Sequence, residues 1–436
     1  MIEEFSFGNF WSFKDIQTLN LSAAKIKSKN PKIDVKNVIT INDKLSLLKS
    51  KAIYGANASG KSNVIRALRT FIHIIENSIK DEKILNHTIL PFKLSSETEN
   101  EPTFFQLIFR FKDIRYRYGF EVDENEFKSE WLYATPNIRE VSLFIRENNK
   151  IIDINEKHYL EGYKLISLFE EGEEFDNEIF RNNSLFLSTV ASFGFGKLSK
   201  KLINFVSNIF IINGLGDRNM YDLASSFLED PEAKNYIVNF LKYADVGIED
   251  IETIGISKED VPKNIAEDLT DSFGNEKEMI VSLRTKYNEK KEKEEESIFS
   301  FGGQESEGTK KMFELSPFIY QALKQGTPLI IDEFDARFHP LLTQKIVELF
   351  NSMSNSNAQL IFVTHDTNLL STDLLRRDQI DFVEKDKYGA SHLYSLVEFK
   401  GIRNTASFEK DYIQGKYGAI PFLGNFNKLL QIDSNA

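Results

Sequence analysis

The stretch "GANASGKS", Gly55 to Ser62, carries the spacing G-x-x-x-x-G-K-[ST]. Glycines at this interval let a backbone wrap a phosphate. The amides at the start of a following helix then point at the anion, aided by the helix dipole. Lys61 is the residue to reach the β- and γ-phosphates of ATP, and the Ser62 hydroxyl is the group to bind Mg2+. The nucleotide-binding candidates of this segment are Gly55, Asn57, Ser59, Gly60, Lys61, Ser62 and Asn63. A second group sits in "PLIIDEFDARFHP". Its aliphatic run delivers Asp332 to the C-terminal edge of a strand, the edge where open α/β sheets bind ligands. Asp332 is the candidate metal ligand, direct or through water, and Glu333 the candidate base that orients and deprotonates an attacking water. His365, in "IFVTHD", leaves the next aliphatic run at the same kind of edge and is the candidate sensor of a γ-phosphate. His339, in "FHP", reads as a cap or packing residue at a helix start. None of the six histidines shows metal-ligand spacing.

These groups need elements to hold them. "LLKSKAIY" before the loop reads as a strand, and Val64, Ile65, Leu68, Phe71 and Ile72 after it recur as on one helix face. "TFFQLIFRF" (103–111), "RYRYGFEV" (115–122) and "VSLFIR" (141–146) read as an antiparallel meander, with Tyr116, Tyr118, Phe120 and Val122 on one face. From about 155 to 255 the pattern turns helical, with Ile203, Val206 and Ile209 in one stripe and Tyr236, Val238, Phe240 and Leu241 in another. Residues 258–297 are polar, and the charge run "NEKKEKEEES" (288–297) reads as a solvated loop or frayed helix. From 298 onward the chain reads as α/β. A helix that starts near "ESEGTKKMF" (305–313), with Ser306 as its N-cap, contains Pro317 and stops at Gly326. The runs "PLIID" and "QLIFVTH" then suit buried parallel strands.

The absence of cysteine excludes disulfides, thiol catalysis and Cys-ligated zinc. No apolar run approaches a membrane span, and the acidic, aromatic N-terminus is unlike a signal peptide, so a cytoplasmic location is expected. A net charge of −12 does not support nucleic acid as a partner, although folding can gather dispersed lysines into a local basic patch.

About 270 residues separate Lys61 from Asp332. The order "GANASGKSN", "ESEGTKKMF", "LIIDEFDARFHP", "FVTHD" resembles the ATP-binding-cassette ATPases of the SMC, RecF and OLD group. "FSFGNFWSFKD" and "YGAIPFL" (417–423) look like the stand-alone ATPase subunits of bacterial phage defence, the AAA-15 or AAA-21 type of the type-L (Rlo-like) abortive-infection pair. The signature here has "SEG" where transporters have "SGG". No Q-loop is evident: Gln106 lies mid-strand, and "LPFKL" (90–94) is the candidate for the equivalent place.

The resemblance implies an α/β P-loop fold of ABC type, with a mixed sheet, an antiparallel N-terminal β subdomain and a mainly helical insertion. It divides the chain into a first ATPase lobe (1–154), the insertion with its charged linker (155–297), a second lobe with signature, acidic strand and histidine (298–400), and a C-terminal extension (401–436). It also implies that Ser306 and Gly308 close on the γ-phosphate held by a second subunit. The chain would then be a homodimeric or higher-order ATPase switch, using ATP and Mg2+ and controlling a separate effector such as a Toprim-like nuclease. With 71 residues after His365, a Toprim domain is expected on a separate polypeptide. A DNA-repair or chromosome-maintenance ATPase of RecF or SMC type is the alternative, and a nucleotide-dependent scaffold with negligible turnover is a third reading.

Overall fold

Among the described residues the alternating and aliphatic runs form eighteen strands. The first ten are β1 (Ile2–Gly8), β2 (Gln17–Asn20), β3 (Val38–Asn42), β4 (Leu45–Leu48), β5 (Ser50–Gly55), β6 (Thr103–Phe111), β7 (Ile114–Val122), β8 (Phe127–Thr135), β9 (Val141–Glu147) and β10 (Lys150–Ile154). They are followed by β11 (Phe210–Asn213), β12 (Asp250–Ile256), β13 (Lys277–Tyr287), β14 (Lys293–Ser300), β15 (Pro328–Asp332), β16 (Gln359–Val363), β17 (Ile380–Lys385) and β18 (Ser391–Ser395). The computed structural model describes residues 1–170, 180–216, 218–244, 246–256, 277–402, 406–421 and 424. Part of the polar stretch 258–297, Phe422 and Leu423 of "YGAIPFL", and the rest of the 401–436 extension beyond the residues named above lie outside the described residues. The chain forms two compact units, Met1–Asn208 with Val363–Ala436, and Ile209–Phe362.

In the first unit an antiparallel sheet runs β10-β9-β8-β7-β6-β1-β2. Tyr116, Tyr118, Phe120 and Val122 are buried on one face of β7, as the alternation requires. Phe71, from the helix Lys61–Asn77, stacks on Phe120 with ring centroids 5.3 Å apart. The helix behind the phosphate loop is thereby anchored on the meander. Strand β5 is buried at every position and pairs in parallel with β17, which pairs antiparallel with β18. The expected single strand "LLKSKAIY" is two strands. β4 pairs with β3, the Lys49 amide donates to the Asn37 carbonyl at 3.0 Å, and β5 leaves with a different partner.

The helices Leu160–Glu170, Phe186–Ser192 and Lys197–Ser207 belong to this same unit. A buried cluster explains part of the attachment. The Glu130 carboxylate accepts the amides of Phe186 (2.7 Å) and Leu187 (3.0 Å) and the Tyr118 hydroxyl (2.9 Å). Arg146 pairs with Glu130 at 3.4 Å and donates to the Ser184 and Asn182 carbonyls. Burial raises the Glu130 pKa, and Arg146 and the amides oppose that shift. Val206 lies on the buried stripe of the third helix, whereas Ile209 follows its end.

In the second unit, β11, β15 and β16 are parallel, in that order. The helices Arg218–Ser226 and Pro231–Tyr243 flank a core that includes Ile237, Leu241, Ile251, Phe301 and Phe313. The helical pattern expected over 155–297 is interrupted by β11 and by an antiparallel sheet, β12-β13-β14. The charge run read as a loop or frayed helix is the tip and second strand of the β13–β14 hairpin. The periodicity was hidden because Lys293, Glu294, Glu295 and Glu296 are all exposed, so no buried face marks a strand. Lys286 and Glu295 pair across the hairpin.

The helix Glu307–Gln325 runs through Pro317 and ends at left-handed Gly326. Proline removes the amide that the Phe313 carbonyl would accept. The Ser316 hydroxyl donates to that carbonyl instead, at 2.8 Å.

Removing one member of a buried ion pair strands the other. Arg146→Ala should lower the stability of the chain by about 3 to 5 kcal/mol, read as a shift of the urea midpoint. A shift no larger than that of an exposed arginine such as Arg139→Ala would mean that Glu130 is satisfied without Arg146.

Candidate functional site

The phosphate-loop candidates all lie in the first unit. The loop leaves β5 at Gly55, where a Cβ would stand 2.4 Å from the Val383 carbonyl oxygen and 2.6 Å from Ser59 Oγ. At Gly60 φ is 110°, and a Cβ would meet Ser391 Oγ at 2.5 Å and Ser12 Oγ at 2.8 Å. Both glycines are therefore required by space, and Gly60 also by its backbone conformation. Gly60 precedes the first residue of the helix Lys61–Asn77, so the first amides of this helix belong to the loop.

Ser59 is buried, and among the described residues its hydroxyl has no hydrogen-bond partner. Lys61 is buried, with Nζ donating to the Gly55 and Ala56 carbonyls at 2.9 Å each. An orphaned hydroxyl, a buried ammonium and a glycine cradle fit a phosphate group. Asn57 is exposed, and Ser62 and Asn63 are half-buried at the helix start.

Sequence reasoning missed the groups that brace this loop. Ser391 donates its hydroxyl to the Ser59 carbonyl at 2.6 Å, and its amide donates to the Ser12 carbonyl at 2.7 Å. Asn63 donates to Ser12 Oγ at 2.9 Å. The Arg66 guanidinium lies 4.0 Å from the centre of the Trp11 ring. His365 is exposed just after β16. Its loop is tied to β5, with the Thr364 amide donating to the Ile53 carbonyl (3.2 Å) and the Tyr54 hydroxyl to the Asp366 carbonyl (3.0 Å).

The second unit brings together Asp332, Glu333, Ser306 and Gly308. Asp332 ends β15, and its carbonyl accepts the Gly214 amide at 2.7 Å. The Glu333 amide donates to Asp332 Oδ1 at 3.1 Å. Glu333 has φ 52°, a left-handed conformation that costs on the order of 1 kcal/mol for a residue with a Cβ. The chain therefore turns sharply at the second acid. Gly214 leaves room for this turn, since a Cβ there would sit 2.1 Å from the Glu333 carbonyl oxygen.

Lys311 holds the other side. Its Nζ donates to the Phe334 and Ala336 carbonyls and lies 4.1 Å from the centre of the Phe338 ring. Ser306 is the N-cap of the helix Glu307–Gln325 and accepts the Thr309 amide at 3.1 Å. A Cβ on Gly308 would stand 3.1 Å from the Arg337 carbonyl oxygen, and Arg337 Nη1 pairs with Glu307 at 2.8 Å. The helix start and the acidic turn are thus one packed assembly. Behind it, Glu305 is buried against Ser282 and Arg284. His339 caps the helix Pro340–Phe350, its Nδ1 accepting the Leu341 amide.

Ser62 and Asp332 offer hydroxyl and carboxylate oxygens, the donor types that suit Mg2+. Among the described residues no three or more His, Asp or Glu side chains cluster as a metal site, and no helix is long and apolar enough to cross a membrane.

A strand, a glycine-cradled loop and a lysine-bearing helix start define a P-loop nucleotide-binding domain of the ATPase class. The chain belongs to the AAA_21 family, described as "AAA domain, putative AbiEii toxin, Type IV TA system", whose model matches residues 52–371. No curated protein matches it significantly. Solved structures that align with it include the SMC head domain from Thermotoga maritima, at 10% identity and TM-score 0.40, over 90% of this chain and 98% of that one. An SMC head bound to the C-terminal winged-helix domain of ScpA aligns at 13% identity and TM-score 0.41, over 90% and 97%. An SMC head domain with an extended coiled coil bound to the C-terminal domain of ScpA, derived from Pyrococcus furiosus, aligns at 14% and 0.37, over 95% and 98%.

Burial pushes the Lys311 pKa down to about 8, against the pull of Asp335, Glu333 and Glu314. The folded protein then releases this proton before the unfolded chain does. Between the two pKa values the unfolded state binds more protons, and stability rises with pH. Relative to Lys311→Met, the native protein should gain on the order of 2 to 3 kcal/mol between pH 7 and pH 10, measured by urea unfolding at both. A difference that stays constant across that range would mean that burial does not depress the Lys311 pKa.

Proposed function

We propose that the chain is an ATP-binding and ATP-hydrolysing molecular switch that dimerises head-to-head around ATP and controls a separate effector protein in bacterial phage defence. The observation that carries the nucleotide reading is the phosphate cradle: Gly55 and Gly60 held without room for a Cβ, the orphaned Ser59 hydroxyl and buried Lys61.

The loop amides and Lys61 would hold the β- and γ-phosphates and offset their charge. Ser62 Oγ and the Asp332 carboxylate would each offer an oxygen ligand of the kind that suits Mg2+, whose chemistry is to neutralise charge on phosphates. Glu333, set by its left-handed turn directly after Asp332, would accept the proton of the attacking water. His365 would donate a hydrogen bond to the γ-phosphate. Asn57 and Asn63 would complete the nucleotide contacts of the loop.

The dimer reading rests on the signature. Ser306 is exposed at the N-terminus of a long helix, and Gly308 next to it adds no side chain over the helix amides. Such a helix start suits an anion presented by a second copy. The stretch 155–297 would then report the nucleotide state to the effector. The defence role rests on the motif resemblance and on a family description that names a toxin.

Glu333→Gln should leave ATP binding intact and slow hydrolysis at least a hundredfold, of the order expected for loss of a general base. With ATP and Mg2+ it should form a stable dimer by light scattering, where the native protein dimerises only transiently. One oligomeric state with and without ATP would sink the head-to-head mechanism. Ser306→Arg should abolish turnover while a fluorescent ATP analogue still binds at Lys61. Loss of that binding would place Ser306 in its own subunit's fold instead.

A further inference from the structure

The chain is acidic overall, yet its positive charge is not evenly spread. Residues 16–42 hold five lysines (Lys25, Lys27, Lys29, Lys32 and Lys36) and one carboxylate, Asp34. Asp34 is occupied internally: Ser28 donates to it through its amide (2.9 Å) and hydroxyl (2.5 Å), and Arg376 Nη1 donates at 2.9 Å. Lys25, Lys27, Lys29 and Lys32 are exposed, and among the described residues no carboxylate lies within ion-pair distance of them. The segment is also fixed in place. Ala24 donates its amide to Asp378 Oδ2 at 2.7 Å, and its carbonyl accepts Arg376 Nη2 at 2.9 Å. Arg376 and Asp378 are themselves buried and paired, at 2.6 Å. Four lysines are thus displayed from a segment whose backbone is already ordered.

The strip borders a shallow groove within the same unit. Lys27, Lys29 and Arg377 line it together with buried Leu375 and Phe408 and half-buried Ile402. Among the described residues no carboxylate side chain lines it. We propose that this strip and groove bind the phosphodiester backbone of a nucleic acid. Lysines supply point charges, and the arginine fork supplies paired donors for phosphate oxygens. Leu375 and Phe408 of the groove are buried and its exposed groups are mainly cationic, which fits a phosphodiester backbone. The aromatic ring among its described lining residues, Phe408, is buried and offers no stacking platform, so recognition falls on the backbone rather than the bases. The proposal is independent of ATP hydrolysis and is tested without nucleotide.

Fluorescence anisotropy with labelled duplex DNA and single-stranded RNA at low salt reads the binding. The native chain should bind at least one of them, whatever the base sequence, with affinity falling steeply as salt rises. Lys27→Glu/Lys29→Glu/Arg377→Glu should weaken binding at least tenfold with an unchanged melting temperature. The milder Lys27→Gln/Lys29→Gln pair, which leaves Arg377 in place, should make the duplex salt slope shallower by about 2. Binding of neither nucleic acid, or equal binding by native chain and both variants, would overturn the proposal. So would capture of anionic phospholipid vesicles or poly-glutamate in preference to nucleic acid.

Discussion

The phosphate loop exists in its shape because there is no space for any other. Gly55 is pressed by the Val383 carbonyl of β17, and Gly60 by two serine hydroxyls from opposite ends of the chain, Ser12 and Ser391. This constraint ties the site to the rest of its unit. β17 must pair with β5 in the observed register, Gly55 opposite Val383. β18 must bring Ser391 back, and the N-terminal loop after β1 must bring Ser12. The buried Lys51–Asp381 pair, at 2.7 Å, fixes β5 and β17 from within. A buried pair of this kind contributes more to register than to net stability, because desolvating two charges offsets most of their attraction.

The second unit solves a different problem. Glu333 needs a left-handed backbone, which sterics oppose, immediately after a straight, buried strand. Gly214 makes the room, and Lys311 holds the loop that follows through two carbonyls and a ring face. A charged side chain is thus buried to shape a turn, and its depressed pKa is the sign of that cost. Gly308, against the Arg337 carbonyl, places the start of the signature helix in the same packing.

What the sequence made legible was local. The phosphate loop, the acidic pair and the N-cap at Ser306 are each written within a few residues. The meander was legible because Tyr116, Tyr118, Phe120 and Val122 alternate with polar neighbours. Ser391, Ser12 and Lys311 were not, since each acts on residues tens to hundreds of positions away and none has a distinctive type. The β13–β14 hairpin was misread because its charged strand has no buried face along most of its length. The split between β4 and β5 was missed because both are apolar, and only the turn at Lys49 separates them. The lysine-rich segment is visible as composition, but its significance depends on Arg376, more than 300 residues later, which pairs with the carboxylate within it.

The proline in the helix Glu307–Gln325 has a mechanical consequence. Prolines inside helices usually create a bend, since one carbonyl loses its amide and the turn opens. Here the Ser316 hydroxyl takes over that carbonyl, so it is not left without a donor. The helix is 19 residues long, about 28 Å from end to end. The chain stays helical from one tip to the other across the proline, so Ser306 and Gly326 are joined by one continuous hydrogen-bonded element.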